Sequence, residues 1–224
     1  ECNEAAGYKW DGTACTLNPV LTVAQAGTGA GTVTSAPAGI NCGSTCSASY
    51  SLGAQVTLAA APAANSTFTG WSGVCSGMGI CAVTMDKAKS VTANFTIKSY
   101  DLTITKSGTG SGTITSAAPL GGINCGADCS ETYNYGTSVT LGITADPNST
   151  FLRWEGACAG NGSCSVTMNE AKNVTAVFML KPTLTITKQG NGFGSIVIPG
   201  VAITWNGNIG TARVDYNKII NLVI

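Results

Sequence analysis

"LTVAQAGTGAGTVTS" at residues 21–35 returns as "LTITKSGTGSGTITS" at 102–116 and as "LTITKQGNGFGSIVI" at 184–198. One chain therefore begins the same unit three times. The period of about 80 residues is too long for a solenoid turn, so each unit is a small domain. "LTVAQ" alternates apolar and polar, as a half-buried strand does. The glycines follow, then a returning strand, "TVTS". A dinucleotide fingerprint needs G-x-G-x-x-G opening a helix. Here the glycines open a β-branched strand, and the segment reads as a hairpin.

The first two copies stay in step to their ends. "STFTGWSGVCSGMGICAVTMDKAKSVTANF" (66–95) runs beside "STFLRWEGACAGNGSCSVTMNEAKNVTAVF" (149–178). Each reads as strands and turns only. The predicted fold is all-β: tandem small domains, disulfide-stapled, strung like beads. The expected segments are a disulfide-closed N-terminal piece (1–19), repeat 1 (20–97), repeat 2 (101–180) and an incomplete repeat 3 (183–224).

Charged residues make up 10% of the 224 and balance to zero. A nucleic-acid surface would need basic excess, and disorder would need more charge and fewer apolar residues. No run approaches the ~20 apolar residues that span a membrane. There are ten cysteines and no histidine. That combination disfavours zinc and excludes a CxxCH haem site. Disulfides are the reading, and with them an oxidising, extracellular or cell-surface location. No signal peptide precedes Glu1, so the expectation is a processed chain or a piece of one.

The cysteines recur at matched places: Cys42, Cys46, Cys75 and Cys81, then Cys125, Cys129, Cys158 and Cys164. Spacing favours Cys42 with Cys46 and Cys75 with Cys81, although four cysteines allow three connectivities. Cys2 and Cys15 would close the N-terminal piece. A bridge closing so short a loop stabilises by roughly 2 kcal/mol in the chain-entropy model. That matters for units with thin cores.

Together the G-x-G-x-G hairpin, "GINCG", "GWSGVC", "VTM" and "SVTANF" resemble the divergent InlB B-repeat family of bacterial surface proteins. The resemblance covers residues 20–180 well and 183–224 in part. It implies an extracellular module, β-grasp-like or a small sandwich, of the kind found in adhesins and large secreted proteins as stalks or interaction units. It implies no catalytic residue, cofactor or metal.

Other candidates are sparse. Trp71 and Trp154 could stack sugars if exposed, but with Phe68, Phe95, Phe151 and Phe178 they read as core. Trp205, in the polar "TWNGN", has no counterpart and is either a contact residue or a turn filler. Asp86, Asp101, Asp128 and Asp146 stand singly, without the D-x-D-x-D of a calcium loop. Asn65, Asn94, Asn148, Asn161 and Asn173 head N-x-S/T sequons, Asn65 and Asn148 at matched places of the repeat. No nucleophile–base set is apparent, so no enzymatic activity is expected.

The tail raises a question of assembly. Tyr50, Tyr133 and Tyr216 are evenly spaced, which aligns "LVI" (222–224) with "VTL" (56–58 and 139–141). On that alignment Ile219, Ile220, Leu222, Val223 and Ile224 form a strand apolar on both faces, at the end of half a domain. Half a β-domain leaves an open edge and an uncovered face. Near the N-terminus "GYKWDGTAC" (7–15) echoes "TFTGWSGVC", so Tyr8 and Trp10 are candidates to meet that edge in another copy. The expected function is a structural surface protein, a filament subunit built by head-to-tail strand complementation. The alternative is an adhesin stalk or a carbohydrate- or protein-binding module. The partners would be other copies of the chain or neighbouring domains of a longer one, with glycans as further candidates.

All ten cysteines should be oxidised and paired within the chain. Mass spectrometry of the alkylated native protein should find no free thiol, and a bridge between repeats 1 and 2 would overturn this pairing.

Overall fold

The structure, a computed structural model, describes residues 8–10, 12, 14–117, 122–190 and 194–221. It divides into two compact units, Glu1–Lys98 and Ser99–Ile224. The fold is all-β, with no helix among the described residues.

In the first unit a short antiparallel hairpin, β1 (Tyr8–Trp10) with β2 (Cys15–Leu17), precedes repeat 1. The repeat then runs β3 (Val20–Ala26), β4 (Gly31–Ala36), β5 (Asn41–Cys42), β6 (Ser47–Ser49), β7 (Gln55–Pro62), β8 (Ser66–Gly73), β9 (Cys81–Thr84) and β10 (Lys89–Ile97). Two four-stranded sheets result, ordered β6-β3-β10-β8 and β5-β4-β7-β9. The first strand of the repeat pairs in parallel with its last, Leu21 opposite Lys89 through Ala26 opposite Asn94. All other pairings in the unit are antiparallel.

The alternation seen in the sequence delivers the core. β3 buries Leu21 and Val23, β10 buries Val91, Ala93 and Phe95, and β4, β7 and β9 add Val33, Val56, Leu58 and Val83 from the other sheet. Of the two architectures expected, the sandwich-like one is found; a β-grasp would lay a helix on its sheet.

Repeat 2 repeats this closely. Its strands are β11 (Ser99–Gly108), β12 (Gly112–Ser116), β13 (Ser130–Asn134), β14 (Ser138–Ala145), β15 (Ser149–Gly156), β16 (Cys164–Thr167) and β17 (Lys172–Leu180). The sheets are β13-β11-β17-β15 and β12-β14-β16, with β11 parallel to β17. Four bridges form as the spacing suggested: Cys42–Cys46, Cys75–Cys81, Cys125–Cys129 and Cys158–Cys164. Cys15 is also disulfide-bonded; its expected pairing with Cys2 lies outside the described residues.

The glycine hairpin has a reason beyond turning. Gly27 has φ +97°, and a Cβ on it would overlap the carbonyl oxygen of Phe95. A Cβ on Gly31 would overlap the Phe95 ring. Gly108 and Gly112 stand in the same relation to Phe178. The glycines make room for the closing strand and its aromatic ring.

Each ring in turn packs with its neighbours, Phe68 lying 5.0 Å from Trp71 and 5.6 Å from Phe95. Trp71 and Trp154 are 5% and 2% exposed, and each indole N–H donates to a loop carbonyl, Gly79 or Gly162, at 3.0 Å. Such an indole presents no stacking face to a sugar. Trp71→Ala or Trp154→Ala should cost about 3–5 kcal/mol, the range for large buried aromatics. Chemical denaturation should show that loss, and equal stability with lost sugar binding would contradict the packing role.

Candidate functional site

Residues 183–221 hold a third, partial copy. Its strands are β18 (Thr183–Thr187), β19 (Thr204–Asn206) and β20 (Ile209–Arg213), ordered β18-β20-β19. β18 corresponds to β3 and β20 to β6: Leu184 pairs with Ala212 as Leu21 pairs with Ala48 and Leu102 with Glu131.

That register corrects the tyrosine alignment. Two residues beyond Ala48 and Glu131 come Tyr50 and Tyr133; two beyond Ala212 comes Val214, not Tyr216. The amide N–H of Val214 donates to Pro182 O at 3.1 Å, as that of Tyr50 does to Pro19 O. Val214 is 8% exposed and Tyr216 39%. The hairpin arms differ by a residue or two among the copies, so the even tyrosine spacing is coincidental.

The tail then falls into the ordinary pattern. Asn217, at φ 58°, stands where Gly53 and Gly136 turn the chain at φ 81°. Ile220 matches Val56 and packs on the half-copy's core, while Asn221, rather than Val223, matches Thr57. Ile219, in the place of Gln55, is 87% exposed. The expected two-faced strand is absent from the described part: residues 214–221 carry no strand, and Asp215–Lys218 turn as Ser51–Ala54 and Asn134–Thr137 do, the Lys218 N–H donating to Asp215 O at 3.2 Å. Leu222, Val223 and Ile224 lie outside the described residues.

The half-copy has also rebuilt the cysteine corner. Gly210 stands in the place of Cys46 and Cys129, and Trp205, which pairs with it, in that of the buried Ile40 and Ile123. A Cβ on Gly210 would come within 2.8 Å of the Trp205 ring. Lys188 Nζ sits 4.2 Å from that ring's centroid and donates to Gly194 O at 3.2 Å. The loop that a disulfide closes elsewhere becomes a tight Gly207–Asn208 turn, with a glycine of positive φ at the first central position. Trp205 thus covers its own core. Sequence reading missed this because the signal is a compensating pair, glycine gained and tryptophan gained, on different strands.

Asp215 ties the half-copy to repeat 2. Its carboxylate lies 3.2 Å from Lys181 Nζ and accepts from Thr150 Oγ1 at 3.4 Å, while Lys218 Nζ is 3.9 Å away. The Lys181 hydrogen bond, above all, holds the Asp215 carboxyl below its usual range. What this tie contributes is present above the ordinary carboxylate pKa and lost as pH falls through the lowered one. The group is largely solvated, so the contribution is small.

What the half-copy lacks is closure. β18 lies at a sheet edge among the described residues, whereas β3 and β11 are each flanked on both sides. Leu21 and Leu102 are fully buried, but Leu184 is half-buried. Among the described residues the half-copy's core cluster buries Ile186, Ile198 and Ala212, against fifteen buried residues in each complete copy's cluster, so the smaller core is thinly held.

The remaining candidates do not converge. Asp86 pairs with Lys89 at 3.0 Å, Asp101 accepts from Thr132 Oγ1, Asp146 from Ser111 Oγ, and Asp128 from the Ser130 N–H. Among the described residues no three His, Cys, Asp or Glu side chains gather to hold a metal ion.

Trp205→Ala should destabilise the half-copy by about 3 kcal/mol, the lower end for a large aromatic, and leave repeats 1 and 2 intact. Residue-resolved hydrogen exchange checks this: protection should fall in β18–β20 alone.

No curated protein matches the chain. Solved structures align with it weakly. The TIE protein of Bacillus anthracis matches at TM-score 0.48 and 13% identity over 88% of this chain, which spans 41% of that protein. The major pilin T-13 of Streptococcus pyogenes aligns at TM-score 0.32 and 12% identity, over 78% of this chain and 99% of that one. GBS52, the minor pilin of Streptococcus agalactiae, aligns at 0.29 and 10%, over 76% and 100%. Likeness at this level says nothing of function. The family match is of another kind: the model of the divergent InlB B-repeat domain fits residues 21–99 and 102–182, the two complete copies. With most of its length in two such domains, this chain belongs to the divergent InlB B-repeat family.

Proposed function

We propose that the chain is a non-enzymatic structural module of a bacterial cell surface, and that it assembles head to tail by β-strand addition onto the half-copy. The observation that carries this is the open edge of β18 beside a half-covered Leu184. An edge strand offers a row of unpaired N–H and C=O groups, and an added strand satisfies them while its alternate side chains cover the apolar face. The joint would use two different surfaces at every contact, and a heterologous contact that does not close extends into a filament. The disulfides suit an extracellular setting. They close short local loops, Cα–Cα 4.2–5.6 Å, and so stabilise each domain without linking one to the next.

One observation favours the adhesin reading as a second. The Cys75–Cys81 loop of repeat 1 exposes Val74 (53%), Met78 (68%) and Ile80 (85%). Repeat 2 carries Ala157, Asn161 and Ser163 at those places. A domain pair with one apolar tip and one polar tip has a surface available for a protein ligand.

Sedimentation velocity and negative-stain imaging of the purified chain separate the two. Filaments growing with concentration are expected. A monodisperse monomer at high concentration would overturn self-assembly, and loss of a ligand's binding on Met78→Ser with Ile80→Ser would favour the adhesin.

A further inference from the structure

The three glycines of the hairpin repeat in the half-copy as Gly190, Gly192 and Gly194. In the complete copies the first and third are shaped by something distant in sequence, the carbonyl and ring of Phe95 or Phe178 on the closing strand. Gly190 keeps the same backbone, φ +94° against +97° and +92°. Gly194 keeps its place too, its carbonyl accepting from Lys188 Nζ at 3.2 Å just as that of Gly112 accepts from Lys106 Nζ. Yet a Cβ on Gly190 or Gly194 would meet nothing within 4 Å among the described residues. Gly194 does not have a left-handed φ, so nothing around it requires a glycine. Among the described residues the half-copy carries the space for an aromatic closing strand and no strand that fills it.

The register states what would fill it. In repeat 2, Lys106 lies opposite Ala176 and Gly108 opposite Phe178, strands parallel. Carried to β18, an alanine belongs opposite Lys188, an aromatic opposite Gly190, and a large apolar residue two beyond. The closing strands read "ANFTI" (93–97) and "AVFML" (176–180); the N-terminal segment reads "AGYKW" (6–10). The pattern is Ala-x-aromatic-x-apolar in all three. Phe95 and Phe178 are fully buried, whereas Tyr8 is 38% exposed. Tyr8–Trp10 also already has an antiparallel partner in Cys15–Leu17, as β10 has in β8. Docking this hairpin on β18 would give the order β20-β18-β1-β2, the order β6-β3-β10-β8 of a complete copy.

We propose that the open edge of the half-copy takes the N-terminal hairpin of a second copy of this chain, in parallel, with that copy's Tyr8 opposite Gly190 and its ring over Gly194. The inference rests on the strand-addition reading and adds its donor and register.

The test uses two full-length variants, Tyr8→Ala and Gly194→Val. Each should fold as the parent does, because Tyr8 is exposed and the space at Gly194 is open; near-UV circular dichroism checks this. Each alone should need a roughly hundredfold higher concentration to assemble, as loss of a buried aromatic contact implies. Mixed, they should form a one-to-one heterodimer and no filament, since one variant keeps a sound acceptor and the other a sound donor. If the parent assembles and Gly194→Val does so equally well, this register is wrong while strand addition stands. If Tyr8→Ala assembles normally and a peptide of residues 172–180 blocks assembly where one of residues 1–17 does not, the donor is another closing strand. If the parent never leaves the monomer, the underlying reading fails with it.

Discussion

Every complete copy depends on one pairing, that of its first strand with its last. β3 and β10, or β11 and β17, lie side by side in parallel although most of the domain separates them in sequence. Parallel neighbours cannot be joined by a tight turn, so the intervening strands form the crossover that connects the pair. The pairing is made close by glycine: residues 27, 29 and 31 carry no Cβ where the β10 backbone and the Phe95 ring pass. A side chain at any of them would push the closing strand away. That would uncover Leu21 and Val23, both at most 3% exposed in the closed domain.

Other contacts around this pair are local: β4 turns back directly on β5, and the disulfides span separations of four and six residues. A buried serine, Ser66 or Ser149, accepts the amide N–H of Ala30 or Ser111 in the middle of the glycine loop, at 2.9 Å in both. Tyr50 and Tyr133 place their hydroxyls 2.7 and 3.3 Å from Ser35 and Ser116. Each of these satisfies a polar group that the close packing would otherwise strand.

Much of this was legible in the sequence because period-two alternation and repetition reinforce each other. "LTV" and "LTI" announce which face is buried, and the matched cysteines give their own pairing. The glycines were legible as a hairpin but not as a cradle, because the ring that shapes them lies more than sixty residues away. The tail misled for a related reason. Its tyrosine falls at an even spacing, but hydrogen bonds to Pro19 and Pro182 set the register, and those put Val214 in the tyrosine's place. Trp205 could not be assigned from its polar neighbours, since the glycine it rests on belongs to another strand.

The parallel pair also has a mechanical meaning. A chain pulled by its ends enters each repeat at the start of β3 and leaves it at the end of β10. These are opposite ends of two neighbouring parallel strands, so the load runs along their length and strains the whole ladder of hydrogen bonds at once, in shear. Hairpins loaded at one end would instead unzip bond by bond. The disulfide loops lie off this line, and the extension they withhold is only a few residues each. Repeats 1 and 2 are therefore built as two tension-bearing links in series.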